Sequence, residues 1–182
     1  MTGATARQLW RRFARSTRGV AAVEFAVVLP VLAMIFLATF DAGRAIAIYM
    51  KVRAATYTVD AITNQYQTIH DADIQAIFAA TDNVLAPYAT APLALTVTQI
   101  AIDANGNATV SWSDTQNGTA HAKGSPMPVP ANLKTPNSYL IFGEVSYAYT
   151  PLFGFFGGSG IKFSDNLYAT PRSVASITRI SP

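Results

Sequence analysis

The sequence has no cysteine, only two histidines and few charges, with 13% of its 182 residues being Asp, Glu, Lys or Arg. The missing cysteines exclude disulfides, thiolate nucleophiles and cysteine metal sites. They do not identify a compartment, because exported domains also fold without them. His70 and His121 stand far apart among scattered acids and give no ligand set with metal spacing, so each reads as an ordinary surface or packing residue. Asp103, Asn105, Asn107 and Asp114 hold part of a calcium-loop pattern. However, Ala108 stands where such a loop needs glycine, and no glutamate closes it. Gly157-Gly158-Ser159-Gly160 lacks both the lysine of a phosphate loop and the second glycine of a nucleophile elbow. No catalytic set can be assembled, and neither an enzymatic activity nor a cofactor is expected.

What the chain does have is apolar surface. Hydrophobic residues make up 51% and mean hydropathy is positive, but the distribution along the chain is uneven. Arg7, Arg11, Arg12, Arg15 and Arg18 precede Val20 with no acid among them; the remaining chain carries eight basic against ten acidic residues. The net charge of +3 is thus a local N-terminal feature and not a nucleic-acid footprint. No nucleic-acid partner is expected.

Behind the arginines, an apolar run extends from Val20 to Phe40, interrupted by one charge, Glu24. At ~1.5 Å per residue this run forms a helix about as long as a bilayer's hydrocarbon core is thick. Helix is the only open-chain form that satisfies its own backbone in lipid. The arginines favour a cytoplasmic N-terminus and an exported C-terminal bulk. Three readings of the segment compete. A secretory signal would be cut at a small-residue box such as Ala45-Ile46-Ala47, which stands well beyond the run, behind Asp41 and Arg44. A plain signal anchor makes Glu24 an accident. A class III signal is cut on the cytoplasmic side, before the apolar helix.

The string Arg18-Gly19-Val20-Ala21-Ala22-Val23-Glu24-Phe25 resembles the prepilin signal of Tad (tight adherence) pili, and Ala26-Val27-Val28-Leu29-Pro30-Val31-Leu32 resembles the TadE-like version of the following helix, proline included. The resemblance implies a TadE-like pseudopilin or minor pilin of the type IV pilin superfamily. It further implies cleavage after Gly19 by a prepilin peptidase, with Gly19, Val20, Glu24 and Phe25 as recognition residues. A glycine suits such a site because a peptidase needs close access to the backbone. The implied partners are the membrane, other Tad pilins and pseudopilins, the prepilin peptidase and the Tad inner-membrane assembly machinery. Val145 to Leu152 resembles the TadE-like strand that ends in a Pro-Leu turn, and Arg172 is a weaker match near the C-terminus.

Periodicity carries the helix further. Ile48, Val52, Ala55, Val59, Ile62, Tyr66 and Ile69 are spaced by threes and fours, with Arg44, Lys51, Arg53, Asp60, Asn64 and Gln67 on the other faces. Residues 20 to 69 are therefore expected to form one helix of about 75 Å. Glu24, Pro30, Ile48, Val52, Val59 and Ile62 are the expected helix- or subunit-packing positions. Pro30 removes one helix hydrogen bond, which membrane helices tolerate.

The rest reads as a small exported domain. A short helix is expected from Asp71, as its cap, to about Leu85, with Pro87 closing it. Strands follow at Leu93–Ile102 and Ala108–Asp114 around an Asn105-Gly106 turn, with Val110 and Trp112 facing the core. Residues 115–136 read as a long surface loop, Tyr139–Thr150 as the next strand, and Ile161–Ile180 as a strand pair or a strand and tail. Nine of the 20 aromatics lie between Tyr139 and Tyr168; most suit a core, while Phe153, Phe155 and Phe156 suit a contact with another subunit.

The sequence thus predicts an α+β protein: a long N-terminal transmembrane, pilin-like helix, then a small domain with a short helix and an antiparallel sheet. Its expected parts are a cleaved cytoplasmic basic leader (1–19), a transmembrane helix (20–40), a periplasmic continuation (41–69) and a globular domain (70–182). Its expected place is the bacterial inner membrane, crossed once, with the option of entering the pilus and a link to adhesion. The rival reading is a membrane-anchored periplasmic binding module, for which the helix is a mere tether.

Overall fold

The computed structural model describes residues 19–154, 160–172 and 174–180. They fall into two units divided between Gly43 and Arg44. The first is the apolar part of helix α1, which as a whole spans Val20–Thr63. Pro30 sits inside α1 and does not end it. The arginines before Gly19 and the pair Phe155 and Phe156 lie outside the described residues.

The second unit is α+β. After the remaining turns of α1 come β1 (Thr68–Ile69), α2 (Asp71–Val84), β2 (Leu93–Ile102), β3 (Ala108–Gln116), β4 (Ser138–Tyr149), β5 (Ile161–Ala169) and β6 (Thr178–Arg179). An antiparallel sheet runs in the order β3-β2-β4-β5, while β1 and β6 form a separate parallel pair. The predicted fold class is therefore the observed one.

The main core lies between α1 and one face of this sheet. Ile48, Val52, Ala55 and Val59 of α1 are buried with Leu95 and Val97 of β2 and Ile141 and Val145 of β4. Ile74, Ile77, Phe78 and Leu85 join from α2 and its end. The threes-and-fours stripe thus finds its partner inside its own chain.

Helix α1 stops at Thr63, short of the expected Ile69. The N–H groups of Gln65 and Tyr66 donate to the carbonyls of Ile62 and Thr63, three residues back, which tightens the last turn. Thr68 and Ile69 then pair with Thr178 and Arg179. Ile69 still reaches the core, so the apolar stripe continues where the helix does not. The cap of α2 also differs from the expectation. His70 holds that position, and its N–H donates to Asp73 Oδ2 at 2.8 Å. Asp71, one residue on, ion-pairs with Arg179 instead.

The Asn105-Gly106 turn forms as expected, with Gly106 at φ +81°. Asp103 closes it by accepting from the N–H groups of Asn105 and Asn107, both at 2.8 Å. Val110 and Trp112 are both buried, but on opposite faces: a bulge places Val110 beside Ile100 and Trp112 beside Gln99. Trp112 and Gln99 then reach the C-terminal segment together. The Trp112 indole N–H donates to the Ile177 carbonyl at 3.1 Å, and the Ile177 N–H donates to Gln99 Oε1 at 2.7 Å. The final stretch holds two strands, β5 and β6, which pair with β4 and β1 and not with each other.

Segment 117–137 is more than a surface loop. Met127 donates its N–H to Ala108, and Val110 exchanges backbone hydrogen bonds with Gly124 and Ser125, so the edge of β3 is covered. Val129 is buried in a second apolar cluster with Ile100, Leu140 and Phe142, on the sheet face opposite the main core.

Candidate membrane and assembly helix

Among the described residues, α1 is the one helix long and apolar enough to cross a membrane. Its side chains from Val20 to Phe36 lie bare: Val23 is 65% exposed, and Phe25, Val27 and Leu32 are exposed as well. A soluble protein rarely leaves so much apolar surface open to water. Glu24 lies within this exposed stretch, one helical turn from its start at Val20. Gly19 is exposed, and a side chain there would meet nothing within 4 Å. The small residue is thus not required by packing among the described residues.

The other positions expected to pack helices have a different fate. Ile48, Val52 and Val59 are buried to 1% exposure or less, and Ile62 packs partly buried against the same core. Their apolar surface is taken up within the chain. The exposed apolar residues of these later turns are Ile46, Tyr49, Met50 and Tyr57, which the threes-and-fours reading passed over because they fall outside its seam. Phe153 is exposed as well.

Asp60 is the polar residue that sequence reasoning placed worst. Assigned to the outer faces, it is 2% exposed, and neither carboxylate oxygen has a hydrogen-bond partner. Burial pushes its carboxyl up to about 8. Space for it comes from Gly143 of β4, where an added Cβ would lie 2.5 Å from Asp60 Oδ1. Asn64, one turn on, has a buried Oδ1 that also lacks a partner. An acid following the apolar Val59, with a glycine inside strand Ser138–Tyr149, was the signal available in the sequence.

Arg179, His121 and Asp103 find their partners within the chain. Arg179 donates to both oxygens of Asp114 at 2.8 and 2.9 Å and also pairs with Asp71, which ties the tail to β3 and α2. These partners hold its guanidinium above the ordinary arginine value. His121 Nε2 lies 2.6 Å from Glu144 Oε2. The Asp103 carboxylate is used by its own turn, and the hydrogen bonds from Asn107 hold its carboxyl below the usual range. Among the described residues there is no group of three or more potential ligands for a metal ion.

An exposed apolar helix, interrupted by one acid and leading into a small α+β unit, defines the class of a protein with one candidate membrane helix among its described residues. Residues 19–59 match the family model described as TadE-like protein. Over that helix the resemblance read from Gly19 to Leu32 holds. The matched residues stop before the sheet, so Val145 to Leu152 and Arg172 lie outside them. No curated protein and no solved structure matches the chain.

Proposed function

We propose that this chain is a minor pilin or pseudopilin that takes part in assembling a Tad-type (type IVc) pilus, with no enzymatic role. The observation that carries the reading is the TadE-like match at 19–59, on a helix whose apolar surface is bare. In this reading Val20–Phe40 crosses the inner membrane once, Arg7 to Arg18 stay cytoplasmic, and the sheet domain is periplasmic. A prepilin peptidase cuts after Gly19. The exposed residues Ile46, Met50 and Tyr57, on the turns of α1 after Gly43, supply apolar surface for neighbouring pilins.

N-terminal sequencing of the protein from its native membrane tests the processing step. A mature chain that begins at Val20 supports it; a chain that retains Gly19 and the arginines contradicts it. A deletion strain tests the role, because loss of pilus-dependent attachment without any metabolic lesion is the expected result. Normal pili and normal adherence in that strain would remove the assembly role.

A further inference from the structure

The sheet face opposite the main core is covered unevenly. Toward one end, Met127, Val129 and Leu133 lie over Ile100 and Leu140, and Tyr168 stacks on Phe142 with ring centroids 4.3 Å apart. Toward the other end the same face is left open as a groove of about 380 Å³. Its floor comes from three strands: Thr96 of β2, Glu144 and Ser146 of β4, and Ser164 and Asn166 of β5. The pairing of Glu144 with Asn166 and of Ser146 with Ser164 sets these four side chains on one face. Its wall is the chain from Asn117 to His121.

The wall is pinned in place. His121 bonds Glu144 across the groove, and its backbone N–H donates to Ser113 Oγ at 3.1 Å. Asn117 Nδ2 donates to the Leu93 carbonyl at 3.0 Å. Gly118 permits the close approach, since a Cβ there would lie 2.7 Å from Thr115 Oγ1. The groove is therefore built by long-range contacts and is not a gap beside a loose loop.

Its chemistry is selective. Ala94 and Val145 are the only apolar residues of the lining, and no aromatic ring belongs to it. Among the described residues, the side chains of Ser146, Ser164, Asn166 and Lys162 make no hydrogen bond or ion pair within the chain, so their capacity is open to a ligand. Glu144 and Lys162 supply one formal charge of each sign to the lining, so neither sign dominates, while Asp165 lies in register with Val145, on the main-core face of the sheet. A purely apolar ligand would leave the mostly polar lining unpaired, and a strongly charged one of either sign meets a like charge. Serine and threonine hydroxyls both donate and accept, asparagine does the same through two atoms, and a sugar hydroxyl matches each of them. The volume falls within the roughly 300–1,000 Å³ typical of small-ligand sites.

We propose that this groove binds a neutral, hydroxyl-rich ligand, one ring of an uncharged saccharide, held by Ser146, Ser164, Asn166 and the Glu144–His121 pair. The inference is independent of the role proposed for α1, because every residue in it lies outside 19–59. The test uses the full chain in a detergent without a sugar headgroup. Methyl glycosides of glucose, galactose and N-acetylglucosamine are titrated by saturation-transfer NMR, with inorganic phosphate and methylammonium as charged probes. Saturable binding of a neutral glycoside below about 10 mM is expected. Ser164→Ala and Asn166→Ala, both at exposed positions, should each weaken it about tenfold, as loss of one hydrogen bond does. Thermal unfolding of the two variants checks that they remain folded. Absence of saturation by all three glycosides, binding of the charged probes alone, or equal affinity in the variants would each overturn the proposal.

Discussion

At the scale of single residues, the two acids of α1 that matter most are placed in opposite ways. Glu24 is exposed along the apolar stretch, where an ionised group near the centre of a bilayer costs roughly 2.5–3.5 kcal/mol on insertion scales. A tether alone would be better without it. Cleavage after Gly19 would give Val20 a free amino group one turn from Glu24. The pair can form within one chain or between neighbouring helices, where it would set their axial register. Glu24→Ala is therefore expected to insert normally, and its processed form to co-purify with fewer partner pilins than processed wild type. Equal recovery with normal piliation would make the charge a bystander. Asp60 is buried instead, and its carboxyl is raised to about 8 against about 3.9 in an unfolded chain. The folded state thus holds this proton more tightly than the unfolded state. Its contribution to stability is fully present below about pH 4, falls as pH rises through the interval, and is gone above about pH 8. A protonated Asp60 also offers a donor one turn from the unpartnered Asn64 Oδ1. Asp60→Asn keeps the shape and removes the titration. Denaturation midpoints of both proteins at pH 5 and pH 8 should show the variant losing less on going to pH 8, by roughly 2–4 kcal/mol. An identical pH dependence in the two proteins would show that Asp60 does not hold its proton.

At the scale of elements, the contact between α1 and β4 turns on Gly143. A methyl group there would meet Asp60 Oδ1 at 2.5 Å and Val59 Cγ1 at 3.1 Å, both on a helix backed by the rest of the core. Gly143→Ala should cost about 1–3 kcal/mol, the usual range for overpacking. In an Asp60→Ala background the same change should cost clearly less, because the closest atoms are gone. A double-mutant cycle of urea midpoints reads the difference, and full additivity would place the strain elsewhere. The elements that were legible in the sequence share one property: their pattern is local. The apolar run of α1, the stripe Ile48–Val52–Val59, the turn at Gly106 and the alternation of β4 each follow from a few neighbouring residues. What was not legible depends on distant partners. Thr68 and Ile69 leave the helix to meet Thr178 and Arg179, more than a hundred positions away. Asp60 reads as an outward residue until Gly143 is placed against it. The bulge in β3 sends Trp112 to one face and Val110 to the other, so an alternation that assumes a regular strand puts them together. The polar groove has the same origin, since it needs three strands and the 117–121 wall at once.

At the scale of the whole molecule, the proposed role depends on which side of the membrane each part occupies, and charge decides that. Five arginines precede Val20 with no acid among them, while the chain beyond carries slightly more acid than base. Positive charge near the end of an apolar helix is retained on the cytoplasmic side, and the bias counts lysine and arginine within about 15–20 residues of the span. Arg44, Lys51 and Arg53 follow the span, so the opposite flank is not free of positive charge. In the proposed orientation the larger cluster prevails by a margin, and reducing that margin should be visible. A phosphatase active only in the periplasm, fused after Pro182, is expected to be active, and a reporter active only in the cytoplasm is expected to be silent. Replacing Arg11, Arg12, Arg15 and Arg18 by asparagine should shift a measurable fraction of the protein to the reverse orientation, read as a fall in the first signal and a rise in the second. Replacing Lys51 and Arg53 by asparagine instead should leave both signals unchanged, because that change widens the margin. A wild-type fusion that is active only in the cytoplasm would leave the sheet domain on the wrong side for pilus assembly, whatever the helix resembles.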